Sequence, residues 1–169
     1  MRIIGPPSAT RETVFKNLVA QNLTPLFIDT MAPELWEAAV WHDIDPVGVI
    51  AQSWKETGGG TFKGAVRPGF YNTCGLKIRN LGILPEADGD KPLAHQMFPS
   101  WKIGAMAHVQ HLCAYAGLTI ESFELNVDPR WDWVAGKHRL ENFEELGGKW
   151  APSASYGTEL VAMARKLQA

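Results

Sequence analysis

The chain has 169 residues, 46% of them hydrophobic, which is enough for one domain with a substantial core and too few for two comfortable ones. Sixteen Lys and Arg against eighteen Asp and Glu leave a formal charge of -2, so no broad basic surface marks it for nucleic acid or anionic lipid. The two cysteines, Cys74 and Cys113, form no CxxC pair, which excludes a disulfide framework and points to synthesis in a reducing compartment. The opening "MRIIGPPSAT" lacks the apolar run of a secretory signal, and no window approaches the roughly 18 apolar residues of a membrane span.

Between Thr10 and Asn22, Val14, Phe15, Leu18 and Val19 recur at helical spacing, and Pro25 restarts the chain. "PELWEAAVWH" predicts a second helix opened by Pro33, with Leu35, Trp36, Ala39 and Val40 inward. "DPVGVIAQSWKETG" predicts a third, with Asp45 as N-cap, Pro46 at the first helical position and Gly58 as the stop.

From Gly58 to Pro99, glycines, prolines and short groups such as "GFYNTCGLKI" cannot sustain helices and predict an irregular lobe with a small hairpin at most. "SWKIGAMAHVQHLCAYAG" returns to helix, capped by Ser100 and stopped by Gly117; Trp101, Ala105, His108, Leu112 and Tyr115 form one stripe of a central, largely buried helix. "DPRWDWVAG" and "ENFEELGG" predict short helices, and "SYGTELVAMARKLQ" a last one with Leu160, Met163 and Leu167 inward. The expected fold is mainly α, one domain over 1–169, with an irregular lobe over 58–99 inserted after the third helix.

Glu56 ends the third helix, directly before Gly58, Gly59 and Gly60, and shares a face with Val49 and Ser53. Partial burial and the negative end of the helix dipole both disfavour a carboxylate there and raise its pKa, as a general acid requires. The glycines would clear side chains from in front of it. The alternative is a helix-end glutamate satisfied by Lys55 or Lys63. Seven tryptophans add rings of the kind that stack on sugars, although packing accounts for many such residues. His108 and His111 with Cys113 raise the question of zinc, but Cys113 lies about 160° from His111 around the helix, so the two cannot share a tetrahedral site. His95, in "LAHQMF", is a better placed candidate for substrate contact.

"IAQSWKETGGG" resembles the segment carrying the catalytic glutamate in the glucosaminidase family of peptidoglycan hydrolases, glycoside hydrolase family 73, with Ala51, Glu56, Thr57, Gly58 and Gly60 matching. "YNTCGLK" is similar to that family's downstream block at Asn72, Gly75, Leu76 and Lys77, "FPSWKIG" to its lead into a long helix at Phe98 and Ser100, and "WAPSASYGTEL" to its last block at Ala151, Tyr156 and Leu160. Trp150 stands where the family has an active-site Tyr; an indole N–H can donate a hydrogen bond but cannot relay a proton as a phenol does.

The resemblance implies a lysozyme-like helical core and cleavage of the β-1,4 bond between N-acetylglucosamine and N-acetylmuramic acid, with Glu56 as acid. It implies substrate contacts from Tyr71, Asn72, Trp150 and Tyr156, no metal or cofactor, and a monomer acting on glycan strands, as in bacteriophage endolysins and bacterial autolysins. Such an enzyme is made in the cytoplasm and released to the wall, or is a domain of a longer secreted protein. A second catalytic group is expected from the lobe: Asp90, 34 residues after Glu56, with Asp88 and Glu86 beside it, or the substrate's own N-acetyl group. A lytic transglycosylase or muramidase on the same scaffold, a zinc amidase and a non-catalytic glycan-binding module are the alternatives.

Overall fold

The computed structural model describes residues 1–79, 89–121 and 124–169. Its described residues form six α-helices, α1 (Arg11–Ala20), α2 (Ala32–Trp41), α3 (Pro46–Thr57), α4 (Trp101–Ala116), α5 (Trp131–Val134) and α6 (Tyr156–Gln168), and no strand longer than an isolated bridge. The fold is mainly α. Among these residues no helix is long and apolar enough to cross a membrane.

α3 is fixed at both ends by its own residues. The Asp45 carboxylate accepts from the Val47 amide at 3.0 Å, Pro46 takes a first-turn position that needs no donor, and Gly58 closes the helix at φ 61. Val49, Ile50, Ala51, Gln52 and Ser53 are wholly buried, because α3 is wedged between α2 and α6. Gly48 lets Phe143 pack directly on α3: a Cβ there would lie 2.2 Å from the Phe143 ring. α4 is capped by Ser100, whose hydroxyl accepts from the Ile103 amide at 3.3 Å, and ends at Gly117 with φ 76. Its residues from Ala107 to Ala116 are all buried, as the wide apolar face predicts.

Two apolar residues that complete the helical patterns, one of them read as inward, do not face the core. Val19 in α1 and Val40 in α2 are 60% and 45% exposed. Each closes an i, i+1, i+4, i+5 set, and at 100° per residue the last member, at i+5, lies about 140° from the first, beyond the buried arc. Ala38 takes the inward place in α2. Nor does Pro25 restart the chain cleanly, since a wide π turn, Phe27–Met31, with Phe27 and Met31 fully buried, runs straight into α2. "ENFEELGG" forms a single 3-10 turn, Phe143–Leu146, rather than an α-helix.

The lobe after α3 is held by loop chemistry. Lys77 and His95 form one antiparallel bridge, flanked by Ile78 N–H to Ala94 O (2.9 Å) and Gln96 N–H to Leu76 O (2.8 Å). Cys74, Leu76 and Phe98 pack with Ala107 of α4 as a small second core. Cys74 and Cys113 are both buried thiols, and burial pushes Cys113 up to about 12.

Candidate active site

Glu56, on the last turn of α3, opens into a groove of ≈ 690 Å³ between the helical core and the lobe. The groove is lined by the segment Thr61–Val66, by Cys74, Gly75 and Lys77, and by Asp90, His95 and Trp150. Residues from three distant stretches of sequence, around 56, 72–95 and 150, therefore meet at one cavity.

The carboxylate of Glu56 is open to the groove but crowded by protein elsewhere. Two donors converge on one of its oxygens: the Trp150 indole N–H reaches Oε1 at 3.2 Å, and the Tyr156 hydroxyl donates to the same atom through a short bond. Oε2 receives no hydrogen bond from the described residues. Desolvation by the surrounding protein raises the Glu56 pKa, while the bonds from Tyr156 and Trp150 and the charge of Lys55 pull the other way; desolvation prevails. Lys55 does not pair with Glu56. Its Nζ is 2.6 Å from Glu159 and lies over the Tyr156 ring.

Asp90 is in the opposite condition. It stands at the rim with its side chain almost fully exposed, 3.1 Å from Lys77 Nζ, and the hydrogen bond from Lys77 holds its carboxyl below the ordinary range. Glu86 and Asp88, the other candidates for a second carboxylate, lie outside the described residues.

The remaining sequence candidates divide by position. His95 is buried up to the groove, and its Nδ1 donates to the Lys91 carbonyl at 2.9 Å, which leaves Nε2 as the acceptor of the neutral ring. Trp150 lines the groove with its N–H aimed at Glu56, while its ring packs on His108, His111 and Tyr115. That ring is thus a wall of the site as much as a free stacking surface.

Asn72 also borders the groove, but its amide is committed. Nδ2 donates to the Leu76 and Gln96 carbonyls (2.8 and 2.9 Å), and Oδ1 accepts from the Cys74 and Leu76 amides (3.3 and 3.0 Å), so it organises the loop. Tyr71 does not line the groove; it packs edge-on against Trp101 at φ 51. Tyr156 is 5% exposed and stands behind Glu56, touching the carboxylate instead of the cavity.

The glycine run also has a different task from the one expected. Gly58 borders the groove, whereas Gly59 and Gly60 face the π-turn side: a Cβ on Gly59 would meet Leu23 at 2.9 Å, and one on Gly60 would meet Thr24 at 2.3 Å. Three successive positive φ values, 61, 64 and 83, are what the turn demands of them.

Sequence reasoning missed the support behind Glu56. Gln52, one turn earlier on α3, and His108 on α4 are both wholly buried, and both join the chain of hydrogen bonds that ends on Glu56. A glutamine inside the buried run "VGVIAQS" was the available signal. His111 is separately engaged, 2.8 Å from the buried Asp128 carboxylate. Comparison with protein-family models, curated proteins and solved structures finds no match to the chain.

Proposed function

We propose that the chain is a peptidoglycan hydrolase, an endo-β-N-acetylglucosaminidase on a lysozyme-like core, with Glu56 as general acid. The observation that carries this reading is one groove holding two carboxylates pushed apart, Glu56 upward by desolvation and Asp90 downward by Lys77. Opposed environments of this kind assign acid and base in glycosidases. The resemblance of four sequence blocks to the glucosaminidase family supplies the substrate.

With Oε1 occupied by two donors, a proton on Glu56 resides on Oε2. From there it passes to the glycosidic oxygen as the bond to the anomeric carbon breaks. The leaving sugar departs with a new hydroxyl, and Trp150 and Tyr156 stabilise the carboxylate left behind. Asp90, ionised at the rim, takes a proton from the water that adds to the anomeric carbon; its pairing with Lys77 keeps it charged but weakens it as a base.

A lytic transglycosylase would need no second carboxylate and would leave Asp90 without a chemical task. The enzyme works as a monomer on glycan strands, needs no cofactor and acts at the cell wall. Incubation with purified peptidoglycan tests the reading: new reducing sugar ends are expected, and in the same amount with a chelator present. Release of free peptides without new reducing ends, abolished by the chelator, would favour the zinc amidase instead.

A further inference from the structure

Behind Glu56 runs an unbroken series of buried polar contacts drawn from α3, α4, α6 and the lobe. The Thr73 hydroxyl is 3.1 Å from His108 Nδ1, His108 Nε2 is 3.0 Å from Gln52 Oε1, Gln52 Nε2 is 3.0 Å from the Tyr156 oxygen, and the Tyr156 hydroxyl reaches Glu56 Oε1. Thr73, His108 and Gln52 are wholly buried, so each group must find its partner within the chain.

Two complete patterns satisfy every member. In the forward one, Thr73 donates to Nδ1, His108 donates from Nε2 to Gln52 Oε1, the Gln52 amide donates to Tyr156, and the only hydroxyl hydrogen of Tyr156 is left to point at Glu56. In the reverse one, His108 carries its proton on Nδ1, the Gln52 amide is turned over, Tyr156 donates to Gln52, and a proton on Glu56 Oε1 is held against Tyr156. Only the forward pattern leaves the acid's proton on Oε2.

Two contacts select it. The reverse pattern sends the Thr73 hydroxyl to the Gly104 carbonyl at 3.5 Å, much longer than its 3.1 Å contact with His108. The Trp150 N–H also donates to Oε1, which serves better as a bare oxygen than as a hydroxyl.

We propose that Gln52 and His108 are positioning residues that hold the orientation of Tyr156 and thereby keep the transferable proton of Glu56 on Oε2. The proposal rests on reading Glu56 as the general acid. Neither residue lines the groove, and both act through Tyr156. Among the described residues, the other polar or titratable groups that act on Glu56 are Trp150 and Lys55, with the buried Cys74 thiol nearby.

The His108 tautomer in the wild-type protein, read from its ring ¹⁵N shifts, is the first test, and a proton on Nε2 with a bare Nδ1 is expected. Gln52→Glu is the second. A carboxylate at 52 accepts from His108 but captures the Tyr156 hydrogen, drawing the proton of Glu56 onto Oε1. A fall in kcat on the order of 10–100-fold, with KM within about twofold and the high-pH limb moved upward, is expected. His108→Gln, which retains a donor toward Gln52, should keep more activity than His108→Leu. A proton on Nδ1 in an active enzyme, or Gln52→Glu with unchanged kcat and pH profile, overturns the positioning role. A wild-type protein with the Nε2–H tautomer and no turnover on peptidoglycan overturns the hydrolase reading instead.

Discussion

Glu56→Gln is expected to lower turnover on purified peptidoglycan by roughly 10²–10⁴-fold while leaving glycan binding nearly unchanged. The amide keeps an oxygen for the donors from Trp150 and Tyr156, so the wall of the groove persists, but it has no proton to give. The same variant has a pH signature. The folded protein holds the Glu56 proton more tightly than the unfolded chain does, because desolvation raises its pKa from the ordinary 4.5.

As pH rises from that ordinary value through the folded one, the native state binds more protons than the unfolded state, so stability conferred by this group is lost in that window. Glu56→Gln removes the titration. Its Tm relative to wild type should therefore climb as pH rises through the window, and in the wild type activity should fall over the same range as the acid ionises. A Tm difference that is flat with pH, together with full turnover in the variant, would remove Glu56 from the mechanism.

Gly104→Ala is expected to destabilise the protein by about 3 kcal/mol, a fall in Tm of about 6–12 °C for a chain of this size. In an ordinary helix interior the substitution would be favourable by about 1 kcal/mol, so the expected sign is the reverse of the propensity rule. The cause is local: a Cβ at 104 would stand 1.7 Å from the Tyr71 carbonyl oxygen and 3.4 Å from the Phe98 ring. A carbonyl fixed in a turn cannot withdraw as the tip of a flexible side chain can. The clash also falls where the lobe meets α4, just before Asn72 organises the groove-lining turn, so activity should fall with stability. Thermal unfolding of the variant decides it, and an equal or higher Tm would contradict this packing.

The parts of the fold that were legible in the sequence are those specified within a few residues. Asp45, Pro46 and Gly58 frame α3, and Ser100 and Gly117 frame α4, because a cap is a contact between near neighbours. The inward faces were legible only to the width of the buried arc, which is why Val19 and Val40 misled. The candidate site divides in the same way. Glu56 could be singled out from its place on one helix, whereas its contacts with Trp150 and Tyr156 span 94 and 100 residues.

The link from Gln52 to Tyr156 spans 104 residues, and no helical period announces it. The glycine run after Glu56 looked like clearance for a substrate. Two of its three members instead pack against Leu23 and Thr24, which lead into a π turn whose presence the local sequence does not signal.

Cleavage of the glycan strand after N-acetylglucosamine at this groove is open to direct measurement by mass spectrometry of the fragments released from purified peptidoglycan. Fragments with N-acetylglucosamine at the reducing end are expected. Anhydromuramic ends, reducing-end N-acetylmuramic acid or free peptides would each contradict it.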